Sequence, residues 1–61
     1  MSGELTDVLR RLPDRQRAAI VLRYWADLPE ADIAEVLGVR PPTVRTLVAR
    51  GLERLRKELP R

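Results

Sequence analysis

Cysteine, histidine and phenylalanine are absent from the chain, and its aromatic residues are Tyr24 and Trp25 alone. Without cysteine there is no disulfide, thiol nucleophile or thiolate ligand, and without histidine the ordinary zinc sets and imidazole acid–base catalysis are gone as well. Most enzyme classes are thereby excluded. Long apolar runs are missing too. No stretch approaches the roughly 18 residues a membrane helix needs, and Met1-Ser2-Gly3-Glu4 has neither the basic nor the hydrophobic segment of a secretion signal. These absences predict a soluble, cytoplasmic protein that is not an enzyme and has no cofactor, no metal and no membrane partner. At 61 residues the chain has room for a single domain spanning 1–61, and a domain of this size buries only about 60% of the surface its unfolded form exposes.

What is present favours helices: leucine, alanine, arginine and glutamate dominate over β-branched and aromatic residues. Proline is tolerated in a helix's first turn and glycine is favoured just past its end, so Pro13, Pro29, Pro41, Pro42 and Gly38 read as boundaries. They predict four helices, over about 4–11, 14–25, 29–37 and 41–58, with Pro60-Arg61 a frayed end. The first places Leu5, Val8, Leu9 and Leu12 on one face. The second, with Asp14 at the positive end of its dipole and the apolar run Ala18-Ala19-Ile20-Val21-Leu22, reads as the central helix. The third presents Ile33, Ala34, Val36 and Leu37. The turn Gly38-Val39-Arg40 has the length that lets the next helix cross steeply, small Ala34 permits close approach, and Val39 with Val44 can plug the corner. The fold expected is all-α: a four-helix domain containing a helix-turn-helix, a right-handed helical bundle like a winged helix without its wing.

Charge changes sign along the chain, which the net of +3 conceals. Residues 1–39 hold five arginines against seven acids, a net of −2, whereas residues 40–61 hold six arginines and one lysine against Glu53 and Glu58, a net of +5. A positive terminal element on a slightly negative body is the footprint of a module that docks one face on phosphates. On a wheel of about 100° per residue, Val44, Leu47, Val48, Gly51, Leu52, Leu55 and Leu59 share one arc of the fourth helix. Arg45, Thr46, Ala49, Arg50, Glu53, Arg56 and Lys57 share the other. Arginine can bond guanine O6 and N7 in bidentate fashion, and short threonine and alanine let the helix approach base edges or a thymine methyl. Arg45, Thr46, Ala49 and Arg50 are therefore the expected base readers. Arg40 stands where a capping Ser, Thr, Asp or Asn would normally be. An approaching phosphate would turn its unfavourable charge to advantage, so Arg40 and Thr43 are expected phosphate contacts, with Arg54 a third nearer the C-terminus. The acids Asp27, Glu30 and Asp32 cluster near one helix start, where the dipole suffices to account for them.

The run Leu12-Pro13-Asp14-Arg15-Gln16-Arg17, then Val21-Leu22-Arg23-Tyr24-Trp25, then Leu28-Pro29-Glu30-Ala31-Asp32-Ile33-Ala34-Glu35-Val36-Leu37-Gly38, resembles region 4 of bacterial sigma factors, especially the extracytoplasmic-function group. The likeness extends through Thr43-Val44-Arg45-Thr46 and Arg50-Gly51-Leu52-Glu53-Arg54-Leu55-Arg56, nearly the whole chain. It implies a domain that reads the minus-35 element of double-stranded promoter DNA within RNA polymerase holoenzyme, with base readers falling on Arg45, Thr46, Ala49 and Arg50. It also implies docking on the flap of the polymerase beta subunit and on anti-sigma proteins through apolar surface of the early helices. Leu5, Val8, Leu9 and Leu12 are candidates for that, against core packing as the plainer role. Pro29 and Arg40 stand where the family usually has a serine cap, and Leu47 where an arginine is common. Region 2 of such factors is not in the sequence, which implies a domain excised from a longer protein. Two alternatives stay open: the four-helix DNA-binding domain of a response regulator, and a module that acts mainly by docking to protein.

Overall fold

A computed structural model describes residues 3–59; the frayed end expected at Pro60-Arg61 lies outside those residues. Helix α1 runs Gly3–Arg11, α2 Asp14–Tyr24, α3 Glu30–Leu37 and α4 Pro41–Glu58, and no strand occurs among the described residues. The fold is the all-α helix-turn-helix architecture that the proline and glycine marks predict. Three boundaries differ by one residue, the first being the start of α1, which is Gly3 instead of Glu4. Pro29 lies just before α3 rather than in it, its carbonyl accepting from the Asp32 and Ile33 N–H groups at 3.0 and 3.1 Å, and Trp25 terminates α2 rather than extending it.

The corner of the helix-turn-helix is a Schellman turn. The Val39 N–H reaches back to the Ala34 carbonyl at 3.0 Å and the Gly38 N–H to Glu35 at 3.3 Å, which satisfies two carbonyls that a helix end would otherwise leave unpaired. This geometry puts Gly38 at φ 69°, a left-handed conformation that a side chain disfavours. Val39 and Ala34 then pack in the same apolar cluster as Val44, so the corner is plugged as the spacing predicts. After α2 the chain turns differently: the Trp25 and Ala26 N–H groups both donate to the Val21 carbonyl, at 2.9 and 3.1 Å, and Asp27 takes φ 57°. Aspartate is one of the few residues that tolerate this region. The turn returns Leu28 to the core, with its N–H on the Leu22 carbonyl at 3.0 Å.

Burial is arranged in two clusters. Ala19, Ile33, Ala34, Val44 and Val48 join α2, α3 and α4, while Val8, Leu12, Ile20 and Leu55 join α1 to α2 and α4. Leu52 packs against both. Leu5 and Leu9 flank the second cluster, so the apolar face of α1 is core, not a free docking surface. Val36 departs from expectation: it is 63% exposed. Helix α3 buries the arc around Ile33, Ala34 and Leu37, and Val36 falls about 110° from the middle of that arc. At about 27 Å, the 18-residue α4 is too long for the 19 and 17 Å axes of the molecule and must run along the 32 Å one.

Candidate nucleic-acid interface

Val44, Val48, Gly51 and Leu55 are buried along α4, which leaves its opposite face to solvent. Arg45, Thr46, Ala49 and Arg50 are all exposed and lie side by side there, with Glu53, Arg56 and Lys57 continuing the face. Leu47 is half-buried against the first apolar cluster, so this position serves the core instead of presenting a cation.

The four predicted base readers are not equivalent in their hydrogen bonding. The Thr46 hydroxyl donates to the Pro42 carbonyl one turn back, at 3.3 Å. Its proton is thus committed within the helix, and what it offers outward is its methyl group and oxygen lone pairs. Arg45 places Nε 3.5 Å from Glu30 Oε2 at the first turn of α3. Arg50 has no ion-pair partner among the described residues, and Ala49 contributes only a methyl group. Beside them, a cleft of about 240 Å³ is lined by Arg23, Tyr24, Glu30, Val44, Arg45, Val48 and Ala49. Arg23, Tyr24 and Glu30 were not singled out as site residues by sequence reasoning. The one available signal was charge: an acid in the first turn of α3 and a base in the first turns of α4, two segments that the helix-turn-helix brings together.

The start of α4 is uncapped. Arg40 is extended, at φ −82° and ψ 151°, and makes no side-chain cap. Helices α2 and α3 also start on non-capping prolines, but each carries acid in its first turn, Asp14 in one and Glu30 with Asp32 in the other; α4 carries none. Its positive end is therefore uncompensated. The donor count is smaller than the expected phosphate clamp assumes. Pro41 and Pro42 have no N–H, and the Thr43 N–H already donates to the Arg40 carbonyl at 2.9 Å, so an anion would meet mainly side chains. Arg54 is also engaged: its Nε donates to Glu58 Oε2 at 2.9 Å, while Arg11 Nη2 reaches the other carboxylate oxygen at 3.1 Å. These two arginines hold the Glu58 carboxyl below the usual glutamate range, the Arg54 hydrogen bond contributing most.

Among the described residues no group of three or more His, Cys, Asp or Glu could hold a metal ion, and no helix is long and apolar enough to cross a membrane.

Comparison with known proteins bears on this surface. The family described as "Sigma-70, region 4" matches residues 2–55. The RNA polymerase sigma-E factor of Streptomyces coelicolor is 42% identical over 55 residues, which is 90% of this chain and 31% of the relative. The extracytoplasmic-function RNA polymerase sigma factor SigW of Bacillus subtilis is 39% identical over 59 residues, 97% of this chain and 32% of the relative. SigF of Mycobacterium tuberculosis is 38% identical over 55 residues, 90% of this chain and 21% of the relative. The chain thus spans about a third or less of the length of these curated relatives. No solved structure matches it. With the family match covering both helices of the helix-turn-helix and all of the arginine-flanked face through Leu55, the chain belongs to the sigma-70 region 4 family.

Proposed function

We propose that this domain binds the minus-35 element of promoter DNA through the exposed face of α4, as region 4 of an RNA polymerase sigma factor. The observation that carries the reading is the juxtaposition of short Thr46 and Ala49 between exposed Arg45 and Arg50, a surface that can enter a major groove without steric conflict while offering two forks to guanine. Arg40 and Thr43, at the uncompensated start of the helix, contact the phosphate backbone and fix the register. Arg54 joins them only by leaving Glu58, so its contribution is the weaker one. The names of the relatives, RNA polymerase sigma factors, support the polymerase core as the larger partner, with the beta-subunit flap and an anti-sigma protein as partner classes that follow from the same likeness.

The test is selection of bound duplexes from a random-sequence pool at low salt, with wild type, Arg45→Ala and Arg50→Ala compared. A short enriched motif, relaxed at one position by each variant by a factor of about ten, is the expected result. Binding without sequence preference, indifferent to both substitutions, would shift the reading to protein docking. Salt separates the two further: each phosphate contact lowers affinity as salt rises, with a slope near −0.9 per contact, while an apolar docking site is much less sensitive. Arg40→Ser should weaken binding to all duplexes alike.

A further inference from the structure

We propose that Glu30 is a positioning residue that sets the base specificity of Arg45; the inference rests on the reading of α4 as the base-reading helix. The carboxylate stands at the first turn of α3 with the Glu30 side chain 31% exposed, and Arg45 Nε lies 3.5 Å from it, the Arg45 side chain being 68% exposed. An exposed ion pair of this kind adds little to stability. The charge of Glu30 suits the start of α3, but Asp32 supplies the same charge in the same turn, and only Glu30 is paired with a DNA-facing arginine, where it repels phosphate.

The geometry gives it another use. The contact the carboxylate makes is with Nε, at 3.5 Å, at the neck of the guanidinium and not at the far end of the fork that meets guanine O6 and N7. A long, rotamer-rich arginine held at its neck has fewer orientations to lose when it meets a base. Near a duplex an unrestrained arginine also has a competing target in the phosphate backbone, which is the same in every sequence. Glu30 makes that alternative unfavourable by its charge. The cleft that both residues line, with Tyr24 and Ala49 on its walls, restricts the pair from the sides. Glu30 thereby lowers general affinity for DNA while sharpening the preference at the position Arg45 reads.

The experiment is the same low-salt selection, run on wild type, Arg45→Ala, Glu30→Gln, Glu30→Ala and the double variant Arg45→Ala with Glu30→Ala, each checked for folding by urea denaturation. Arg45→Ala identifies the position that arginine reads. Glu30→Ala is expected to relax preference at that same position by about threefold to tenfold, with Glu30→Gln, which keeps the shape and loses the charge, showing a smaller effect. Affinity for unselected duplex should rise in both. In the Arg45→Ala background Glu30→Ala should change no base preference. Retained preference in Glu30→Ala overturns the inference and leaves the reading of α4 intact. A shift of preference that persists without Arg45 also overturns it, because Glu30 would then read a base itself. If Arg45→Ala relaxes no position, the reading of α4 fails and this inference with it.

Discussion

Gly51 lies in the middle of α4, where glycine is ordinarily a weakness of about 1 kcal/mol relative to alanine. Its reason is the crossing with α2. A Cβ built there would collide with Cδ1 of Ile20 and sit 3.3 Å from Ile20 Cγ1 and 3.6 Å from Gln16 Cβ. Ile20 is 1% exposed, so its side chain has no open space to move into. The propensity gain of Gly51→Ala is therefore opposed by overpacking of about 1–3 kcal/mol. The expected outcome is a net loss of about 1 kcal/mol, read as a lower urea midpoint with an unchanged slope. A midpoint that rises would mean that α2 and α4 separate freely and that the close approach is not required. Arg17 shows a different kind of residue-scale device: Nη1 donates to the Arg10 carbonyl at 3.1 Å and Nη2 to Asp14 at 2.6 Å, so one guanidinium joins the end of α1 to the start of α2.

At the scale of the helices, α4 shows how stability and function diverge. Arg40→Ser would replace a cation at the positive end of the helix with a capping residue. Because the Thr43 N–H already donates to the backbone carbonyl of residue 40, the gain in stability should be at the low end for a cap, about 0.5 kcal/mol, and come mainly from removing the unfavourable charge. The same change removes the cation beside the helix start. Affinity for every duplex should fall and the slope of log affinity against log salt should lessen by about one contact. Denaturation and binding thus move in opposite directions, and a variant that is both more stable and equally avid would remove Arg40 from the interface. The helices themselves were largely legible, because proline and glycine act through backbone constraints that need no tertiary context. The buried stripe of α4 was legible for a similar reason: over 18 residues the periodicity repeats often enough to fix a face. Helix α3 has only 8 residues, and within so short a span Val36 could not be distinguished from the true core positions. The pairing of Glu30 with Arg45 was not legible as a contact, since it depends on the crossing of two helices and not on spacing within either. Nor was the left-handed turn at Asp27, which accompanies the return of Leu28 to the core.

Across the whole molecule, the two apolar clusters meet at Leu52, and the chain's first and last helices are tied by one carboxylate. Glu58 accepts from Arg54 on its own helix and from Arg11 at the end of α1, at 2.9 and 3.1 Å. Both bonds favour the charged form, so its folded pKa lies below the ordinary value, which is about 4.3 in an unfolded chain. A group depressed on folding contributes stability that is fully present above the unfolded value and is lost as pH falls through the folded one. Because the site is open to solvent, salt should weaken the contribution. Glu58→Gln keeps the shape and removes the charge. The urea midpoints of wild type and variant should therefore differ at about pH 7 and converge as pH falls below about 4, with the gap narrowing at high salt. The eight other acids are common to both proteins and cancel in the comparison. A gap that is constant with pH would show that the carboxylate acts by shape alone, and α1 would then be held to α4 by the cluster of Val8, Leu12, Ile20 and Leu55 without electrostatic help.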